Sequence, residues 1–129
     1  MNRATPLRRA AVAILIVLCA STFNPPSLHA ETETWRIQST YPYTVQLEFY
    51  SKDRDAAWPG GGKAYLLKDS SVHTFSLDCR AGERICYGAW DQGTGRPYWG
   101  VGKNEGHSCP DCCWTCGRKG APRTINLTR

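Results

Sequence analysis

Four thiols crowd into residues 109–116, at Cys109, Cys112, Cys113 and Cys116, and two more lie upstream at Cys79 and Cys86. Thiols at this spacing support three kinds of chemistry. The first is cross-linking: an even set of cysteines in a short exported chain reads as a disulfide framework. Adjacent Cys112 and Cys113 would form a strained ring with each other, so each needs its own partner. In one scheme Cys112 and Cys113 reach Cys79 and Cys86, while Cys109 closes on Cys116. In the other, Cys79 bridges Cys86 across a hairpin and two bonds form within the C-terminal cluster. The second chemistry is a structural zinc site, with one C-x-x-C knuckle and the Cys79/Cys86 pair as four thiolate ligands. Its knuckles abut here, whereas such knuckles are normally separated by roughly a dozen residues. The third is thiol–disulfide exchange, which needs a low-pKa thiolate, typically at a helix N-terminus. Gly117, Gly120 and Pro122 after the cluster do not make such a helix, and no βαβ pattern precedes it. Cross-linking is the expected chemistry, and zinc or redox chemistry in the cluster is the alternative.

Other reactive residue types carry weaker signals. If all six cysteines are bridged, none is free to act with His73 or His107 as a nucleophile. His73 shares a strand face with Phe75 and Leu77 and reads as a packed or edge histidine, and His107 falls in a polar loop. No Gly-x-Ser-x-Gly occurs. Gly60-Gly61-Gly62-Lys63 superficially suggests a phosphate loop, but Ala64 stands where Ser or Thr would hold Mg²⁺. The run reads as a hairpin loop, no cofactor motif is present, and the chain is expected not to be an enzyme. The five Trp and six Tyr are more informative. Trp35, Tyr43 and Trp90 face inward by phase. Trp58 and Trp114 lie in loops, and Tyr50 lies on an outer strand face. Loop tryptophans either stack on sugar rings and partner proteins or simply cover sheet ends and cysteine clusters. Trp58, Trp114 and Tyr50 are therefore the candidate binding residues, for an unknown protein or glycan.

These residues must be positioned by short strands, because Gly and Pro interrupt the chain too often for a long helix. Thr34–Ser39 puts Trp35 and Ile37 on one face. Tyr43–Ser51 alternates Tyr43, Val45, Leu47 and Phe49 against Thr44, Gln46, Glu48 and Tyr50, the period of a half-buried strand. Residues 51–63 read as a loop, 64–68 as a short strand and 69–71 as a turn. Val72–Cys79 and Arg84–Trp90 are expected to form a hairpin about Gly82-Glu83, with Gly at the first central position of a type II′ turn. Phe75 would then face Trp90, Leu77 Gly88 and Cys79 Cys86. Gln92–Gly95 is a further turn, Pro97–Gly102 a strand and Thr124–Thr128 a last edge strand. The expected fold is mostly β: a small antiparallel sandwich or barrel of about six to seven strands, stapled by disulfides.

Residues 1–30 have the layout of a removable export signal, with Arg3, Arg8 and Arg9 before an apolar run from Ala10 to Ala20 and a small-residue exit at Ala30. The run is short for a membrane span. Arg8-Arg9 lacks the bulky residues expected of a twin-arginine signal, and Leu18 is too large for lipidation at Cys19. The mature domain is then 31–129, periplasmic or secreted, with no integral span. The 16 basic residues of the whole chain include the three signal arginines. The 13 that remain, against 11 acidic ones, give a net charge of about +2, which lacks the electrostatic footprint of a nucleic-acid-binding protein. The basic tail of Arg118, Lys119, Arg123 and Arg129 reads as a solvated end, and Asn126-Leu127-Thr128 matches a glycosylation acceptor.

Gly82–Trp90, Trp58-Pro59-Gly60, Tyr98–Gly102 and the Cys112-Cys113 pair together resemble small exported bacterial domains to which no substrate is assigned. The resemblance spans most of Trp35–Cys116 and implies a bacterial periplasmic or secreted protein, but no ligand. The expected function is that of a non-enzymatic binding module.

Overall fold

The computed structural model describes residues 29–118 and 124–128. The proposed export signal up to residue 28, including the twin-arginine and lipidation positions, lies outside them, as do Lys119, Arg123 and Arg129. The described residues form two packed sheets that do not close into a barrel.

The smaller sheet has the order β5 (Val72–Arg80), β1 (Ala30–Ser39), β9 (Ile125–Leu127). β1 alternates from Glu33 on, burying Glu33, Trp35, Ile37 and Ser39 between exposed Thr34 and Arg36 and half-buried Gln38, because successive side chains on a strand point to opposite faces. The expected edge strand at the C-terminus is present as β9, and it runs parallel to β1. The larger sheet is built on β2 (Val45–Ser51) and β6 (Arg84–Asp91), which pair antiparallel from Val45↔Asp91 to Ser51↔Ile85. Each of these two long strands has two short strands on its free edge. β3 (Ala57–Trp58) and β4 (Tyr65–Leu67) flank β2. β7 (Tyr98–Gly100) and β8 (Cys113–Thr115) flank β6. Among the described residues nine strands thus replace the expected six or seven. The extra ones come from β3, inside the segment read as a loop, and from β8, inside the cysteine cluster.

The core lies between the sheets. Trp35 is fully buried at its centre. Its ring sits 5.0 Å from Phe49, 4.8 Å from Trp114 at a near-perpendicular angle and 6.4 Å from Tyr87, tilted and edge-on contacts that aromatic quadrupoles favour. Val45, Leu47, Ile85, Leu77 and Leu127 complete the filling. The expected inward phase holds for Trp35, Val45, Leu47 and Phe49 but fails at two residues: Tyr43 lies before the start of β2 and is 67% exposed, and Trp90, though buried, pairs with Gln46 and lies with it on the outer face of the larger sheet. Alternation carries information only while the chain stays extended, and Tyr43 belongs to the turn.

The expected hairpin between residues 72–79 and 84–90 does not form. β5 pairs with β1, placing Phe75 opposite Trp35 and Cys79 opposite Glu31, and β6 pairs with β2. The turn is the reason. The Glu83 N–H donates to the Arg80 carbonyl at 2.9 Å, so Gly82, at φ 82°, occupies the second central position of the Arg80–Glu83 turn. That is type II geometry, whose twist splays the flanking strands instead of pairing them. The chain therefore leaves one sheet and enters the other at this corner.

A buried carboxylate holds the corner. Glu83 accepts from Arg54 Nε at 2.6 Å, from Arg54 Nη2 at 3.4 Å and from the Arg80 N–H at 2.7 Å. Burial alone would raise its pKa, but the hydrogen bonds from Arg54, Ser51 and Arg80 outweigh this and hold the carboxyl below its ordinary range. Around it the Gly82 N–H donates to the Cys116 carbonyl, the Cys116 N–H to the Glu83 carbonyl and the Ala81 N–H to the His29 carbonyl.

The six cysteines form three disulfides, Cys79–Cys116, Cys86–Cys113 and Cys109–Cys112. Neither expected scheme is fully realised. Cys113 does reach Cys86, but Cys79 takes Cys116 and Cys109 closes on Cys112. The register explains the difference: β8 lies antiparallel to β6 with Cys113 directly opposite Cys86, which leaves Cys116 at the end of β8, beside the close of β5. Cys79–Cys116 therefore joins the two sheets, Cys86–Cys113 ties two strands of the larger sheet, and Cys109–Cys112 closes the 3-10 turn at Pro110–Cys112. Constraint of the unfolded chain assigns nearly 4 kcal/mol to each of the long bridges and about 2 kcal/mol to the short one.

Tyr50 also departs from expectation. It lies on the outer face of β2, as its phase requires, but it is only 6% exposed. The segment after β7 folds over it and packs Val101 against Tyr50 and Cys86. Glycine permits this approach, because a Cβ on Gly88 would lie 2.1 Å from the Gly102 carbonyl oxygen.

Two outcomes test this description. Gly88→Ala should lower stability by about 1–3 kcal/mol in denaturant unfolding, and an unchanged midpoint would contradict the overlay. Glu83→Gln should cost about 2 kcal/mol at pH 7. Because the carboxyl titrates lower in the fold than in the unfolded chain, its contribution is complete above the ordinary carboxylate range and is lost as pH falls through the folded value. The wild-type and variant unfolding midpoints should therefore converge in acid, and a gap that persists at low pH would refute the role given to the charge.

Candidate functional site

The three residues singled out for binding have structural work. Trp58 is half-buried against the core, with the Arg54 guanidinium 5.6 Å from its ring centre. Trp114 on β8 is half-buried and meets Trp35 edge to face. Tyr50 is covered. Its hydroxyl accepts from the Asn104 N–H at 3.1 Å and hydrogen-bonds the Glu48 carboxylate. Burial, then the negative charge of Glu48, pushes the Tyr50 phenol far above its usual range. These aromatics cover the core, the cysteine cluster and the sheet, and the structure does not bring them together.

The histidines are equally accounted for. His107 is exposed and stacks face to face on Tyr98, with ring centres 3.6 Å apart. His73 stacks on Phe75, and its Nε2 lies 3.0 Å from Asp69 Oδ1. The same Asp69 oxygen accepts from the Ser71 N–H at 2.9 Å and from the Ser71 hydroxyl, and the Ser71 bonds hold the Asp69 carboxyl below its ordinary range. Serine, histidine and aspartate thus converge, but not as a relay. A hydrolytic triad places the serine on one imidazole nitrogen and the carboxylate on the other. Here the Ser71 hydroxyl, 3.4 Å from His73 Nε2, and the Asp69 oxygen, 3.0 Å from it, share the same imidazole nitrogen, and the hydroxyl donates to Asp69. The cluster caps the turn into β5.

The six sulfurs are paired, and paired sulfur presents no thiolate to zinc. Among the described residues no group of three or more His, Cys, Asp or Glu side chains is arranged to hold a metal ion. Gly60–Lys63 forms a tight turn, with the Lys63 N–H on the Gly60 carbonyl and positive φ at Gly61 and Gly62, as its reading as a hairpin loop requires.

A groove of about 410 Å³ opens at the other end of the larger sheet, between the β1–β2 and β6–β7 connections. Tyr41, Tyr43, Thr44, Asp91, Gln92 and Thr94 line it. The Gln92 N–H donates to the Thr44 carbonyl at 3.0 Å and joins the two turns. Asp91 organises the floor. Its carboxylate accepts from the Thr94 N–H at 2.7 Å, from the Thr94 hydroxyl at 2.9 Å and from the Tyr41 hydroxyl. The Thr94 bond is the main reason its pKa lies below the ordinary value. Tyr41 is further fixed between Tyr43 and Trp99, with ring centres at 5.5 and 5.4 Å, and Trp99 donates to the Thr128 carbonyl at 2.6 Å.

One aromatic ring is thus anchored and a second, Tyr43, stands open at the rim beside the Gln92 amide and the Thr44 hydroxyl. The sequence carries a signal for this site in Tyr41-Pro42-Tyr43, a corner with two aromatics, and in the turn-forming Asp91–Gly95 run. It was obscured because Tyr43 fits the inward phase of the following strand. No family model, curated protein or solved structure matches the chain.

Proposed function

We propose that the chain is an exported, non-enzymatic binding module of the periplasm or the extracellular space, which holds a glycan or a segment of a partner protein in the Tyr41–Thr94 groove. Three disulfides in so small a domain suit an oxidising compartment. The observation that carries the reading is Tyr43, a large aromatic left 67% exposed on the rim of a groove whose floor is already fixed. A rigid aromatic at the edge of a concave polar surface supplies stacking area at little conformational cost. The Asp91 carboxylate is spent on its own turn and on Tyr41, so the donors and acceptors left for a ligand, Gln92 and Thr44, are neutral. That composition suits hydroxyls and amides and gives no reason to expect a strongly charged ligand. No helix among the described residues is long and apolar enough to cross a membrane.

The test is titration of the isotope-labelled protein with neutral oligosaccharides and with uncharged soluble peptides, read as amide shifts. The expected shifts are confined to Tyr41–Thr44 and Asp91–Thr94, and Tyr43→Ala should weaken binding about tenfold or more while retaining the β-sheet signal of the folded domain. Shifts centred on Trp58 or Trp114, undiminished binding by Tyr43→Ala, or no response to either ligand class would refute the reading.

A further inference from the structure

The three disulfides are not equivalent. Two of them join residues 37 and 27 positions apart on separate strands. The third, Cys109–Cys112, spans 3 positions within one turn, so opening it frees no strand from its sheet. Exposure divides them differently: Cys79–Cys116 is buried at both ends, while Cys86–Cys113 and Cys109–Cys112 each join a buried cysteine to a partly exposed one. Cys79, Cys86, Cys112 and Cys116 are buried, while Cys109 and Cys113 reach the surface in part. In the short bridge an accessible sulfur is therefore joined to a buried one, and a nucleophile from solvent has one end to attack.

That end opens on a pocket of about 170 Å³. Cys86, Cys109 and Cys113 form part of its wall, and Lys52, Arg84 and His107 form another part, so what sets Cys109–Cys112 apart is its short span and not its access to the pocket. Lys52 is paired with Glu105 at 2.8 Å. Arg84 donates from Nη2 to the Pro110 carbonyl at 3.1 Å. This bond to a neutral carbonyl holds the guanidinium at the surface beside the Cys109–Cys112 turn, which also carries Asp111. The backbone N–H of Arg84 is bound to Asp53 Oδ2 at 2.6 Å, which fixes the strand that presents it.

We propose that Cys109–Cys112 is a thiol–disulfide exchange site for small anionic thiols, carried on a frame that the other two bridges keep folded. A thiolate attacks Cys109 Sγ, a mixed disulfide forms there, and the Cys109–Cys112 bond breaks with its electron pair leaving on Cys112, which takes a proton from water. A second thiolate attacks the external sulfur of the mixed disulfide and releases Cys109 as thiolate, which takes the second proton from water. Two thiols become one small disulfide, and two electrons and two protons pass to the Cys109/Cys112 pair. The reverse steps, driven by a small disulfide, restore the bridge. Arg84 is the positioning residue: its charge draws the anionic thiol into the pocket and favours the thiolates formed there. The site is separate from the groove and does not depend on it.

The test is graded reduction of the oxidised protein with glutathione, quenched by alkylation and mapped by peptide mass, with circular dichroism recorded alongside. The first two alkylated residues should be Cys109 and Cys112, preceded by a glutathione adduct on Cys109, with the β signal intact. Simultaneous reduction of all three bridges, or first labelling at Cys86 and Cys113, would overturn the proposal. The rate with anionic glutathione should exceed that with cationic cysteamine, after correction for thiolate fraction, and Arg84→Gln should reduce that ratio about threefold or more at low salt. An unchanged ratio would mean that the bridge is merely accessible and would overturn the site. Should Arg84→Gln fail to fold, the wild-type ratio serves instead: it should collapse towards unity in 1 M salt, and a salt-independent ratio would refute the role of charge. Cys109→Ser/Cys112→Ser should retain the fold and lose the fast-reducing step.

Discussion

The fold depends on a single corner, the Arg80–Glu83 turn, where the chain passes from one sheet to the other. Glu83 is a carboxylate in an apolar setting, which is costly unless its charge is met by donors. Arg54, Ser51 and the Arg80 backbone meet it. The groups that do so come from the end of β5, the end of β2 and the loop after it. The adjacent backbone receives the end of β8 and the start of β1. Cys79–Cys116 then locks the same junction covalently. Four segments far apart in the chain converge there, and the Trp35 core is enclosed because they do.

This junction also explains what could and could not be read from the residues alone. The alternation of Trp35/Ile37 and of Val45/Leu47/Phe49 identified two strands and their buried faces, since period-2 patterns report local geometry directly. The terminal strand at Ile125–Leu127 and the pairing of all six thiols were legible for similar local reasons. The β5–β6 hairpin was not. Gly82 suits the first central position of a type II′ turn and the second of a type II turn equally well, and only the choice of partner strands decides between them. The apparent sorting set Leu77 and Cys79, which face the core, against Trp90, Gly88 and Cys86, which lie on the outer face of the larger sheet opposite Gln46, Glu48 and Tyr50 and are buried there by other cover. Tyr50 was misplaced for a different reason. Its phase was right, but its cover comes from Val101 and Asn104, whose approach no local pattern encodes.

The larger sheet separates the two regions of interest along its length. At one end of the β2–β6 ladder, Ser51↔Ile85, lie the cysteines, the Arg54–Glu83 pair and the pocket beside Cys109. At the other, Val45↔Asp91, lies the groove. Seven paired residues separate them, on the order of 20 Å of strand. The covalent ties are confined to one end, which leaves the turns that carry Tyr41 and Tyr43 held only by hydrogen bonds and ring contacts. The three residues expected to bind a partner, Trp58, Trp114 and Tyr50, are all taken up in holding the sheet and the core.

The short strands flanking β2 and β6 have a consequence for behaviour in a crowded compartment. An exposed sheet margin with a long run of unpaired backbone groups is a template on which other chains can polymerise. Here each margin of the larger sheet consists of segments of two or three residues. One margin is interrupted by the Gly60–Lys63 turn and the other by the residues between Gly100 and Cys113. An incoming strand could follow neither margin for more than a few ångströms before losing its hydrogen-bonding partners. The fragmentation that makes these segments look like loops in the sequence therefore also denies the larger sheet a long template edge, and among the described residues it leaves the nine-residue β5, at the margin of the smaller sheet, as the long edge where strand addition would concentrate.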